Sequence, residues 1–157
     1  EETSRFMALA NTRARLRMTS LYYFAGLNGL LVAGTGNKVE DFGVGFYTKY
    51  GDGGVDISPI ADLYKTEVWE LGRELGIDPR IIDAEPTDGL WEDDRKDADQ
   101  LNGMSYPDLE WCMQNSDLPA VDMSEQQIDN IELYKKIRSR NLHKMNPIPV
   151  FTRSKEI

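Results

Sequence analysis

Apolar positions recur at helical spacing over residues 4–28. Leu16, Ser20, Tyr23 and Leu27 fall at i, i+4, i+7 and i+11 on one face, and Asn11-Thr12 offers capping chemistry. Gly29 ends that segment. Leu30-Leu31-Val32-Ala33, closed by Gly34, is then a short continuous apolar run, the pattern of a buried strand in a parallel sheet. A helix feeding such a strand predicts α/β architecture. Ser58-Pro59 predicts the start of a second helix carrying Ile60, Leu63, Val68, Leu71 and Leu75, which Gly76 stops. A brief turn is expected at 79–83. Residues 85–103 read as a loop through Pro86, Gly89 and the run Glu92-Asp93-Asp94-Arg95-Lys96-Asp97; a loop of that length is usually functional or disordered. Ser105 and Asp108 frame a capped short helix over 105–115. A last helix opens at Met123-Ser124-Glu125 and runs to about Asn141 on Ile128, Ile131, Leu133 and Ile137. The remainder, from His143 through Pro147 and Pro149, is expected to be extended.

One stretch fits neither periodicity. Residues 34–56 hold seven of the 13 glycines, interleaved with Thr35, Asn37, Lys38, Glu40, Lys49, Asp52 and Asp56. Glycine at that density costs conformational entropy, so the backbone there must be demanding. Ligands of open α/β sheets sit at the carboxyl ends of strands, where glycines let backbone N–H groups approach a phosphate. Val32-Ala33-Gly34-Thr35-Gly36-Asn37-Lys38 suits that role or a plain tight turn, and neither a G-x-G-x-x-G nor a Walker A sequence is present in the required context. Glu40 is a candidate Mg²⁺ ligand or a first-turn carboxylate favoured by a helix dipole. Phe46 to Asp56, with two aromatics about Lys49 and then Asp52 and Asp56 on glycine-rich backbone, reads as a ligand loop or as two consecutive turns. Lys65, Thr87 and His143 each have an ordinary structural reading as well. Arg13, Arg15 and Arg17 read as a solvated helix face.

Composition narrows the classes. The chain has 157 residues, 40% of them apolar, enough for one domain with a core. Its formal charge of −9 argues against broad contact with a nucleic-acid backbone, and no apolar run nears the ~20 residues of a membrane span. The lone Cys112 permits neither an internal disulfide nor a cysteine-built zinc site, and a reducing, cytoplasmic setting is the expectation. The chain opens on Glu1-Glu2-Thr3, without an initiator Met, so a piece of a longer protein is expected.

Taken together, Gly34-Thr35-Gly36-Asn37-Lys38-x-Glu40, Phe46-x-Thr48-Lys49-Tyr50-Gly51-Asp52-Gly53-Gly54-x-Asp56 and Pro59-Ile60-x-Asp62-Leu63-x-Lys65-Thr66 resemble NAD synthetase. Asn11-x-x-Ala14-Arg15-x-Arg17-Met18, Pro86-Thr87 and His143-Lys144 match in the same order, so the resemblance covers about residues 10–148. It implies the C-terminal part of a parallel-sheet ATP pyrophosphatase fold (adenine nucleotide alpha hydrolase-like), with residues 1–157 belonging to a single synthetase domain and 85–103 forming a mobile loop over the site. The implied reaction is ATP- and Mg²⁺-dependent amidation of deamido-NAD by ammonia through an acyl-adenylate. Residue by residue, Thr35, Lys65 and Thr87 match ATP positions, with Lys65 and Thr87 stabilising charge. Asp52 lies where ammonium enters and loses a proton, and Glu40 matches a magnesium ligand. Arg15, Lys49, Asp56, His143 and Lys144 match deamido-NAD positions, with Asn11 and Phe46 beside the same ligand. A homodimer is implied. The wording of the 49–56 loop resembles the ammonia-using branch rather than the glutamine-using one. The family's Ser-Gly-Gly-x-Asp-Ser loop does not occur in these residues. An inert fragment that dimerises and binds deamido-NAD, or another amidotransferase of the same type, are the alternatives.

Overall fold

The computed structural model describes residues 2–87, 89–91 and 96–153. Helix α1 spans Glu2–Asn28, and Gly29, at φ 64°, follows its end. Its buried side is narrow and small: Ala10, Ala14 and Ala25. The opposite face, carrying Leu16, Tyr23 and Leu27, is exposed, so the apolar stripe expected to pack inward does not. Asn11 and Thr12 lie inside α1 rather than at its start. Thr12 Oγ1 instead donates to the Ala8 carbonyl, as mid-helix threonines do.

The expected strand at 30–33 reduces to one parallel bridge between Ala33 and Ile57. Gly34 N–H donates to the Ile57 carbonyl (2.7 Å) and Asp56 N–H to the Val32 carbonyl (2.9 Å). Val32 is buried, whereas Leu30 and Leu31 are 66% and 67% exposed, because no second strand of the described residues flanks this edge. Further along, Val39–Val44 forms a π-helix, a geometry that clusters at functional sites. Asn37, 1% exposed, starts it: Oδ1 accepts from the N–H groups of Val39 (3.0 Å) and Glu40 (3.2 Å).

The second helix, α2, begins at Lys65, not at Ser58-Pro59. Residues 59–62 form a turn, and the Tyr64 N–H donates to Glu67, closing the helix start there. Helix α3 (Pro79–Ile82) is the expected brief turn, and α4 (Asp97–Gln100) is a helical turn inside the expected loop. Of that loop, residues 88 and 92–95 lie outside the described ones. Helix α5 (Tyr106–Asn115) has the expected cap, Ser105 and Asp108 bonding reciprocally. Helix α6 (Glu125–Met145) is capped by Ser124 and runs four residues past Asn141, so His143 and Lys144 sit on its last turn rather than beyond it.

The core lies where α5, α6 and the π-helix meet: Val39, Val44, Leu101, Met104, Tyr106, Leu109, Cys112, Ile131 and Tyr134. A helix end leaves carbonyls without partners, and α6 supplies them along one face. Arg138 donates to the carbonyls of Phe42 and Gly43, Asn141 to Val44 (2.9 Å), and Lys144 to Gly45 (2.8 Å) and Tyr47 (2.7 Å). This row of donors pins the π-helix and the loop leaving it, and so fixes Glu40.

Candidate active site

A cleft of about 520 Å³ opens between α1, the Val32–Gly34 edge, the π-helix and the start of α2. Six residues singled out from the sequence line it together: Thr35, Glu40, Phe46, Asp52, Lys65 and Thr87. Sequence separations of up to 52 positions collapse into one cavity, with Asp97 on the same wall.

Its charged centre is a half-buried ion pair. Lys65 Nζ donates to Glu40 Oε1 at 3.1 Å, and the two side chains keep 19% and 17% exposure. Lys65 is the first residue of α2, where the helix dipole already favours negative charge. Tyr106 donates its hydroxyl to the same Glu40 oxygen (2.7 Å), and its oxygen lies 2.9 Å from Asp97 Oδ2. Burial and these two carboxylates push the Tyr106 phenol far above its ordinary pKa, so it stays protonated. Beneath, Glu110 (8% exposed) accepts from the Thr66 N–H (3.0 Å) and hydroxyl (2.7 Å), capping the exposed amides of the α2 start. Asp41, next to Glu40, is pushed up to about 6, first by burial and then by repulsion from Glu40 and Asp52.

The glycine-rich loop is shaped mainly by close approach. Asp52 Oδ1 accepts from the Thr48 N–H (2.9 Å), and a methyl on Gly51 would lie 2.9 Å from the Ala14 Cβ. Among the seven glycines of 34–56, Gly45 alone takes a left-handed conformation, at φ 66°.

Of the residues assigned to deamido-NAD, Phe46 lines the cleft, and the others form a separate set. Asn11 accepts from the Thr48 hydroxyl (2.7 Å), Arg15 Nε donates to the Lys49 carbonyl (3.3 Å), and Lys49 donates to the His143 carbonyl. His143 is exposed and its Nδ1 lies 3.1 Å from the Arg140 carbonyl. Lys144 is tied to Gly45 and Tyr47, and burial lowers its pKa. Asp56 accepts from Tyr22 (3.0 Å) and the Val32 N–H (2.8 Å). Thus Arg15, Lys49, His143 and Lys144 cluster about the 45–49 backbone, while Asp56 braces the strand edge. None of these lines the cleft.

Arg15 and Arg17 of α1 are exposed, as a solvated face predicts, but the arginines also bond to loop carbonyls. Arg13 donates to the Leu90 carbonyl (2.7 Å) and Arg17 to that of Gly89 (3.0 Å), so α1 holds Gly89 and Leu90. Tyr106 and Glu110 carried no signal in the sequence, and Asp97 stood only at the end of an acidic run; Asn37 did carry one, as an Asx residue two and three positions before the Val39 and Glu40 N–H donors it caps. Among the described residues there is no cluster of three His, Cys, Asp or Glu that could hold a metal, and no helix is long and apolar enough to cross a membrane.

The NAD synthase family model matches residues 1–148. The chain is 50% identical over 104 residues to the NH(3)-dependent NAD(+) synthetase of Carboxydothermus hydrogenoformans, covering 66% of this chain and 42% of that protein. It is 40% identical over 157 aligned residues to that of Methanosarcina acetivorans, covering 95% and 59%. Among solved structures, the NMN synthetase from Francisella tularensis superposes with a TM-score of 0.79 at 30% identity, covering 94% of this chain and 58% of that one. The NH3-dependent NAD synthetase from Campylobacter jejuni, in complex with nitrate, gives 0.68 at 25%, covering 93% and 56%. The chain spans about half the length of the curated relatives it matches. The family-model match over nearly the whole chain, with these identities, establishes that the chain belongs to the NAD synthase family.

Proposed function

We propose that this chain forms part of an ATP-dependent ligase that amidates deamido-NAD to NAD with ammonia as nitrogen donor. The observation that carries the reading is the convergence of Thr35, Glu40, Asp52, Lys65 and Thr87 on one cleft. A carboxylate resists nucleophiles until one oxygen becomes part of a leaving group. Attack of the nicotinate carboxylate on the α-phosphorus of ATP forms a P–O bond and releases pyrophosphate. Ammonia then adds to the acyl carbon and gives up one proton, and AMP departs with the former carboxylate oxygen to leave the amide. Lys65, at the start of α2, and the Thr87 hydroxyl, both lining the cleft, would stabilise the oxyanion of that addition. Only one of the three Nζ protons of Lys65 is committed to Glu40. Asp52, exposed on the cleft rim, suits ammonium entry.

Glu40 fits the magnesium role: Oε1 takes both its hydrogen bonds, Oε2 receives none from the described residues, and Mg²⁺ needs only one or two carboxylates beside phosphate oxygens. Bound there, Mg²⁺ would neutralise phosphate charge. Arg15, Lys49, His143 and Lys144 would hold deamido-NAD from the α6 side, and the exposed Leu16–Tyr23–Leu27 face of α1 suits a second copy in a homodimer. A cytoplasmic setting is proposed for this acidic chain. The 85–103 segment serves as the covering loop, with Arg13 and Arg17 gripping it.

The superposition on an NMN synthetase favours a second reading, in which the product is NMN. Incubating the full-length protein with ATP, Mg²⁺, ammonium and deamido-NAD tests the first: NAD and AMP should appear one to one by chromatography. AMP without NAD, or no AMP from protein that binds deamido-NAD, would overturn it. NMN formed faster from the corresponding mononucleotide would select the second. The 157 residues alone, which lack the Ser-Gly-Gly-x-Asp-Ser loop, should form no AMP.

A further inference from the structure

We propose that Tyr106 is a positioning residue for the Glu40–Lys65 pair, its hydroxyl fixing the Glu40 carboxylate and its ring seating the Lys65 ammonium, so that Glu40 is preset to receive a divalent cation. The inference rests on the reading above only in taking that cation to be Mg²⁺.

Tyr106 touches both members of the pair. Its hydroxyl reaches Glu40 Oε1 at 2.7 Å, and Lys65 Nζ sits 4.9 Å from its ring centroid, within cation–π range. The residue itself has little freedom. It is 6% exposed at the first position of α5, directly after the Ser105–Asp108 cap, and its ring packs edge-on against Trp69 at 6.1 Å and 82°. From the far side, Asp97 Oδ2 lies 2.9 Å from the hydroxyl oxygen, so the phenol is held between two carboxylates. A phenol carries one proton, and the shorter of the two distances is to Glu40.

A glutamate has three side-chain torsions, and a ligand formed from it must freeze them on binding. Here Lys65 and Tyr106 freeze them beforehand through Oε1 and leave Oε2 without a hydrogen bond from the described residues. Partners that orient a metal-binding carboxylate are typically worth 10- to 100-fold in metal affinity. Replacing Tyr106 by Phe removes the hydroxyl while keeping the ring that supports Lys65 and meets Trp69.

The test uses the full-length protein, its Tyr106→Phe variant and a control, Tyr134→Phe, which removes a buried phenol elsewhere in the same core. Mn²⁺ is titrated with a non-hydrolysable ATP analogue present, and free Mn²⁺ is read by electron paramagnetic resonance. Tyr106→Phe should weaken Mn²⁺ about tenfold, raise half-saturating Mg²⁺ in turnover by a similar factor, and leave the KM for deamido-NAD unchanged; Tyr134→Phe should change none of these. Equal Mn²⁺ affinity in Tyr106→Phe and the parent, no Mn²⁺ bound by the parent, or the same weakening in Tyr134→Phe would overturn the proposal. A parent that binds Mn²⁺ tenfold tighter than Tyr106→Phe yet makes no NAD would sink the functional reading and leave this one standing.

Discussion

Gly45 ends the π-helix in a left-handed conformation, φ 66°, buried against α6. Substituting alanine there has two separable costs. The left-handed backbone is disfavoured for any residue with a Cβ by about 1–2 kcal/mol. The new methyl would also sit 2.7 Å from the Asn141 Cβ and 2.9 Å from the Met145 Cε. The Asn141 contact cannot be relieved by a rotamer change, because a Cβ moves only with its helix; overpacking of this kind costs about 1–3 kcal/mol. The sum, about 2–5 kcal/mol, is a large fraction of the 5–15 kcal/mol typical of a domain. Gly76 supplies the control: its φ is 70°, and an added methyl would meet nothing within 4 Å. Gly76→Ala should therefore lose only the backbone part, about 1–2 kcal/mol. Urea unfolding of the two variants, followed by far-ultraviolet circular dichroism, gives the difference directly. Equal losses would refute the close packing of α6 on the π-helix.

Three further outcomes are expected. Asp41 holds its proton to about pH 6 in the folded protein against an ordinary value of 3.8, so its penalty is absent below about pH 4, grows as pH rises to 6 and is full above; Asp41→Asn should raise stability at pH 8 by about 1–3 kcal/mol, allowing for screening, and flatten the curve between pH 4 and 6. An unchanged pH profile would mean that Asp41 is better solvated than its surroundings indicate. Lys65→Ala should lower turnover by about 10²-fold or more, as removal of an oxyanion donor does, while deamido-NAD binding measured by calorimetry moves little. Equal losses in both would remove the assigned role. Glu110→Gln keeps one acceptor but loses charge against the α2 amides, and should cost about 1–3 kcal/mol in thermal unfolding; a neutral result would show that solvent can replace it.

Most helices could be read from the sequence because their caps are local: Ser105 with Asp108, Ser124 with Gln127, and Gly29 and Gly76 as stops. Glycine and carboxylate spacing carried the resemblance from which candidate site residues were named, and Thr35, Glu40, Asp52, Lys65 and Thr87 among them share one cleft. What failed was non-local. Ser58-Pro59 looks like a helix start, but the Ile57 pairing with Ala33 and the Lys38 N–H bond to the Leu63 carbonyl keep that backbone in turns until Tyr64. Leu30 and Leu31 read as a buried strand from composition alone, yet burial depends on neighbours that the described residues do not supply. The Arg13 and Arg17 contacts span more than 70 positions, beyond the reach of any periodicity.

The alanine-lined inner side of α1 has a dynamic consequence. Alanines bury little surface, so hydrophobic anchorage of this 27-residue helix is thin, and the bonds from Arg13, Arg15 and Arg17 to loop carbonyls carry a disproportionate share of its attachment. Such an element belongs to the low end of the local-unfolding spectrum. Its amides should exchange with deuterium together with those of Gly89 and Leu90, well before the α5–α6 core opens. A ligand that tightens the loops would then slow exchange along α1 as well, including at turns it never touches.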